Sequence, residues 1–191
     1  MYMKALGLPA LLVLSWPSLA AAGPIADAAA RAEALQADGK TVEALEALDE
    51  AVTTVWQEGP LAFRNVAVVE SASGFGVYEE NSDPTYRPDE RLTVYVEPVG
   101  FGYGSGEETI SMTVDLALEN ATGQVLTETD DVFSISASAP EGKREFYMAL
   151  TFEVPFLRPG EYKATFTVQD QNSDKIGSFE VPFSIALPVA E

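Results

Sequence analysis

From residue 61 onward, apolar side chains recur at every second position. The stretch "ISMTVDLALE" sets Ile110, Met112, Val114, Leu116 and Leu118 on one side and mostly small or polar residues on the other. The same alternation runs through Leu92, Val94 and Val96, then through Phe146, Met148, Leu150, Phe152 and Val154. It returns in Tyr162, Ala164, Phe166 and Val168, and last in Phe179, Val181, Phe183 and Ile185. A period of two belongs to a strand with one face on a core. Fainter alternation marks 62–70, 76–80 and 124–136. Seven or eight short strands with turn residues between them predict an antiparallel β-sandwich. Pro182 has no N–H for a ladder, so the final strand is expected at a sheet edge or at a bulge.

Upstream the rhythm changes. Residues 26–56 are rich in Ala, Leu and Glu, which favour helix. Asp38-Gly39 interrupts them, and Thr41 is placed to cap a second helix. In that second helix Leu45, Leu48 and Val52 recur at intervals of three and four, forming one apolar face, with Ala44 and Ala51 on the same side. These three side chains are the candidate partner-binding residues. "QEGP", residues 57–60, ends the helical part. The chain therefore divides into residues 1–22, a hairpin over 23–59, a sandwich over 60–187 and a tail over 188–191.

The first 22 residues have the layout of a secretory signal: Lys4, an apolar run interrupted by Pro9 and Pro17, and small residues at "SLAAAG". Cleavage is expected before Gly23, with Ala20 and Ala22 at the recognition positions, or else after Ala20 with Ser18. The run is too short for the ~20 residues a spanning helix needs. Removal of this segment takes away Lys4 alone, so 11 Lys+Arg fall to 10 against 30 Asp+Glu. Such a surface repels nucleic-acid phosphates and anionic membranes. The expected location is the periplasm or the secreted fraction.

Cysteine and histidine are both absent. Disulfides, thiolate sites, the commonest zinc ligand and the commonest general base are thereby excluded. The chain is expected to be non-enzymatic, with no cofactor and no metal. Asp170, Asn172 and Asp174 alternate as in a calcium loop, but Lys175 and Val181 stand where that loop requires Gly and a bidentate Glu. A hairpin turn is the reading these residues support. The acidic run at 79–90 reads as a solvated loop. "VGFGYGSGEE", residues 99–108, matches neither a dinucleotide fingerprint nor a phosphate loop. It is expected either to form a strand end with its aromatics packed inward or to present Phe101 and Tyr103, joined by Tyr78, to a carbohydrate or peptide ligand.

Two resemblances follow from these motifs. Ala32, Leu35, Gly39, Ala44, Leu48 and Ala51 give the hairpin a pattern that resembles a single tetratricopeptide repeat. One repeat cannot bury its own face. "LRPGEY" before a late strand, with Tyr162 where a tyrosine corner would lie, resembles the ending of immunoglobulin-like sandwiches of exported proteins. Together they imply an immunoglobulin-like sandwich with an N-terminal α-helical hairpin. The signal layout, the unsatisfied hairpin face and the lack of catalytic residues lead to the expectation of an adaptor that contacts another envelope protein.

Overall fold

The computed structural model describes residues 23–105, 109–140 and 142–186. The predicted signal segment, residues 106–108 of the glycine-aromatic loop and the 188–191 tail lie outside them.

Two helices open the chain, α1 (Pro24–Ala37) and α2 (Thr41–Glu58). Pro24 sits in the first turn of α1, where its missing N–H costs nothing. Gly39, at φ 74°, makes the turn between the helices. The contact between the helices is made by small residues: Ala28 and Ala32 of α1 meet Ala44, Ala47 and Ala51 of α2, all buried.

Nine strands follow: β1 (Ala62–Gly74), β2 (Val77–Glu80), β3 (Thr85–Tyr86), β4 (Arg91–Val99), β5 (Ile110–Asn120), β6 (Val125–Ala137), β7 (Met148–Glu153), β8 (Gly160–Asp170) and β9 (Ile176–Ile185). They form two sheets, ordered β2-β1-β4-β7 and β3-β9-β8-β5-β6. The second order places the last two strands beside β5 and β6, the crossover arrangement of immunoglobulin-like domains. The alternating side chains fill the space between the sheets, and Leu92, Val94, Val96, Val114, Ala164, Phe166 and Val168 have no exposed surface. The tyrosine corner is present: the Tyr162 hydroxyl donates to the Arg158 carbonyl at 2.7 Å.

Two expectations need correction. Thr41 is the first residue of α2, and the cap position falls on Lys40, which makes no side-chain cap hydrogen bond. β9 is not the outermost strand, because the two-residue β3 pairs with it in parallel at Ser184 and Ile185. Over the rest of its length β9 has an open edge. Ser184 N–H donates toward Pro84, and Pro182 has the same parity, so its nitrogen faces that open side. The proline blunts the edge where β3 does not cover it.

The β1–β2 hairpin curls over the outer face of its sheet. A straight strand from Arg64 would carry Phe75 roughly 36 Å away, yet the Arg64 guanidinium lies 5.7 Å from the Phe75 ring centroid. Three irregularities bend it: a bulge between Arg64 and Ala67, with Asn65 at φ 52°, and register shifts between Val69 and Ser71 and between Ala72 and Gly74.

Candidate functional site

The C-terminal half of α2 lies against one end of the sandwich. The Trp56 indole N–H donates to the Phe101 carbonyl at 2.8 Å, and the two rings meet edge to face at 5.0 Å. Lys175 donates to the carbonyls of Trp56 at 2.9 Å and Gly100 at 2.7 Å. The Trp56 carbonyl belongs to the last turn of α2, whose carbonyls have no partner inside the helix and carry the negative end of its dipole. Arg144 pairs with Asp49, reaches the Thr53 hydroxyl at 2.7 Å and lies over the Trp56 ring. Its hydrogen bond holds the Asp49 carboxyl below the ordinary carboxylate range. Gly100 adopts φ 84°, and a Cβ there would come within 2.6 Å of the Pro60 carbonyl oxygen. The chain leaving α2 and the chain leaving β4 thus touch backbone to backbone.

The loop with the calcium-like spacing belongs to this joint. The buried Asp170 carboxylate accepts the Gly102 N–H at 2.7 Å, the Asn172 N–H at 3.0 Å and the Ser173 hydroxyl. The Asn172 side-chain amide donates to the carbonyls of Thr109 and Gly102. These residues form a turn that holds the glycine-aromatic loop. A cleft of about 410 Å³ remains between α2 and the loops, lined in part by Trp56, Tyr103, Arg144, Asn172 and Lys175. Its principal cations and amides are already bonded within the joint, so the cleft reads as the seam of a docked hairpin.

Of the predicted ligand-facing residues, Phe101 and Tyr103 pack together and Tyr78 lies elsewhere. Phe101 is 1% exposed, packed among Trp56, Tyr103 and Phe146, and belongs to the core. The glycines on either side let the backbone turn inward there, so this ring has no face to offer a ligand. Tyr103 is half-buried, tilted against Phe101, and its hydroxyl donates to the Lys143 carbonyl. Tyr78 stands apart, stacked on Tyr95 at 4.2 Å under the curled β1–β2 hairpin.

The predicted partner-facing residues do share one surface. Leu45, Leu48 and Val52 are 61%, 45% and 46% exposed. Val55 extends the row and is also exposed. Because alanines make the contact with α1, the larger aliphatic side chains of α2 are left over. Between the helices runs a groove of about 290 Å³, with Ala32 and Ala44 in its floor and Leu45 and Leu48 on its wall.

Two features escape the sequence pattern. One is the joint formed by Trp56, Arg144 and Lys175; a lone tryptophan ending an amphipathic helix was its only local signal. The other is a buried carboxylate. Glu97 accepts Arg64 Nε at 3.0 Å, the Asn65 amide at 2.9 Å and the Tyr95 hydroxyl at 2.8 Å. Tyr95 in turn accepts the Gly76 N–H at 2.7 Å. Glu97 and Tyr95 lie on the outward phase of β4, where alternation predicts exposure.

No family model matches the sequence, and no curated protein does. Solved structures to which this chain is similar include the sporulation control protein Spo0M from Bacillus subtilis, at 13% identity and a TM-score of 0.39, covering 68% of this chain and 51% of that one. A family 123 glycoside hydrolase from Clostridium perfringens aligns at 10% identity and a TM-score of 0.42, over 68% of this chain and 28% of the enzyme. The CARDB domain of a Pyrococcus furiosus protein aligns at 14% identity and a TM-score of 0.33, over 67% of this chain and 90% of the domain. The chain thus spans about half the length of the first and less than a third of the second. Likenesses this distant carry no argument about function.

Proposed function

We propose that this chain is an exported, non-enzymatic binding or adaptor protein of the cell envelope, and that its helical hairpin is the contact surface. The observation that carries the reading is the row Leu45, Leu48, Val52 and Val55, exposed on a hairpin held against the sandwich by Trp56, Arg144 and Lys175. A contiguous apolar row on an anchored helix marks an interaction surface, where scattered apolar residues would not. Helix-in-groove recognition uses side chains at this spacing. Export is supported by the layout of residues 1–22, and the lack of catalysis by a sequence without histidine or cysteine.

The test is crosslinking capture from the native envelope fraction, comparing the chain with a Leu45→Ser/Leu48→Ser/Val52→Ser variant. All three positions are exposed, so the variant keeps its fold, which circular dichroism checks. A protein captured by the first and lost by the second identifies the partner. Equal capture by both removes the hairpin from the contact.

A further inference from the structure

The groove between α1 and α2 has a charge pattern as well as an apolar wall. Residues 24–58 hold eight acidic side chains against two basic ones, Arg31 and Lys40. Both cations are already engaged, Arg31 with Glu50 and Lys40 with Asp38. On helical spacing Glu43, Glu46 and Glu50 lie on the side of α2 away from Leu48, and Asp49 is paired with Arg144. The groove lining itself contains one charged residue, Glu33, and among the described residues none pairs with it.

From this geometry we infer that the occupant of the groove is a cationic amphipathic helix. Its aliphatic side chains lie along Leu45 and Leu48, and a Lys or Arg reaches Glu33. The inference rests on the adaptor reading above and adds the chemistry of the partner. A second copy of this chain fits less well. Groove-to-groove pairing would bring two Glu33 carboxylates and two strongly acidic hairpins together, with their Arg31 and Lys40 already paired, within the field of a chain carrying 30 acidic residues against 11 basic. A basic helix gains from the same field, first in its rate of encounter and then at the contact.

Two synthetic 18-residue amphipathic peptides test this, with the same leucine face and a polar face of either lysine or glutamate. Binding to the full chain is read by fluorescence anisotropy at low and high salt, alongside sedimentation of the chain alone. The expected result is that the lysine peptide binds roughly tenfold or more tightly than the glutamate peptide. Leu45→Ser/Leu48→Ser should weaken the lysine peptide by a similar factor, and Glu33→Gln by a few-fold. If the serine variant releases both peptides but the chain does not distinguish them, the charge inference fails and the hairpin remains a docking surface. If the serine variant binds the lysine peptide unchanged, the peptide is coating acidic surface, and both the inference and the hairpin reading fail. A dimer of the full chain that the serine variant abolishes assigns the groove to a second copy and overturns the inference.

Discussion

The Tyr95 side chain shows how much one position can depend on its surroundings. It has no exposed surface, its ring lies between Tyr78 and Tyr147, and its hydroxyl links the Gly76 N–H to Glu97. Tyr95→Phe keeps the rings and leaves both hydrogen-bond partners short of one bond. The expected cost is about 1–3 kcal/mol in urea denaturation, because a buried polar group loses its partner. Burial pushes the Tyr95 phenol up to about 12, with the Gly76 N–H opposing that shift. A phenol that holds its proton more tightly when folded lends stability that is complete below its unfolded value. That stability drains away as the pH rises from about 10 toward 12. An ultraviolet titration of the tyrosines should therefore show a late phenol that Tyr95→Phe removes. Phe101 offers a second residue-scale test. Phe101→Ala should cost about 3–5 kcal/mol, the usual price of emptying a buried aromatic site. A variant of unchanged melting temperature would return that ring to the surface.

At the scale of elements, the question is what fixes the hairpin to the sandwich. Lys175 ties the end of α2 to the end of β4 by donating to both the Trp56 and the Gly100 carbonyl. Lys175→Met retains the aliphatic stem and removes both bonds. Amide hydrogen exchange over residues 41–58 should speed up while exchange in β5 and β8 stays slow. If exchange rises in the strands as well, the hairpin and sandwich unfold as one unit. Gly177 marks a second junction. A Cβ there would come within 2.4 Å of the Leu61 carbonyl oxygen and 2.8 Å of the Phe63 ring. At this point β9 of one sheet passes β1 of the other. Gly177→Ala must push these strands apart, so it should destabilise the sandwich more than the same change at Gly123, which has nothing within 4 Å but adopts φ 79°.

For the whole molecule, the dominant electrostatic term is self-repulsion, since the chain carries a net charge of −19. Salt screens charges more than about 10 Å apart before it affects close pairs. Raising sodium chloride from about 0.1 M to 1 M should raise the melting temperature. A fall would show that pairs such as Arg144–Asp49 outweigh the repulsion.

The strands and helices were legible because their signals are local. A period of two over β4, β5, β8 and β9, and Ala/Leu/Glu composition in α1 and α2, are contained in windows of nine to eighteen residues. The two-residue β3 was not legible, since it holds too few residues for any period. Spacing puts Leu45, Leu48 and Val52 on one apolar face but leaves open what covers it, and their exposure followed from the alanines buried between the helices. Phe101 was read as either core or binding loop, because aromatic residues between glycines suit both. Only its contacts with Trp56, Tyr103 and Phe146 decided for the core. The sequence by itself determined the element types, the fold class and the acidic surface, all of which depend on near neighbours or on composition. Tertiary structure alone decided the burial of Glu97 and the docking of the hairpin. Both depend on partners far along the chain, as with Lys175 and Trp56, which are 119 residues apart. No periodicity records a contact of that kind, because each side chain is ordinary in its own segment and gains its role only when the fold closes.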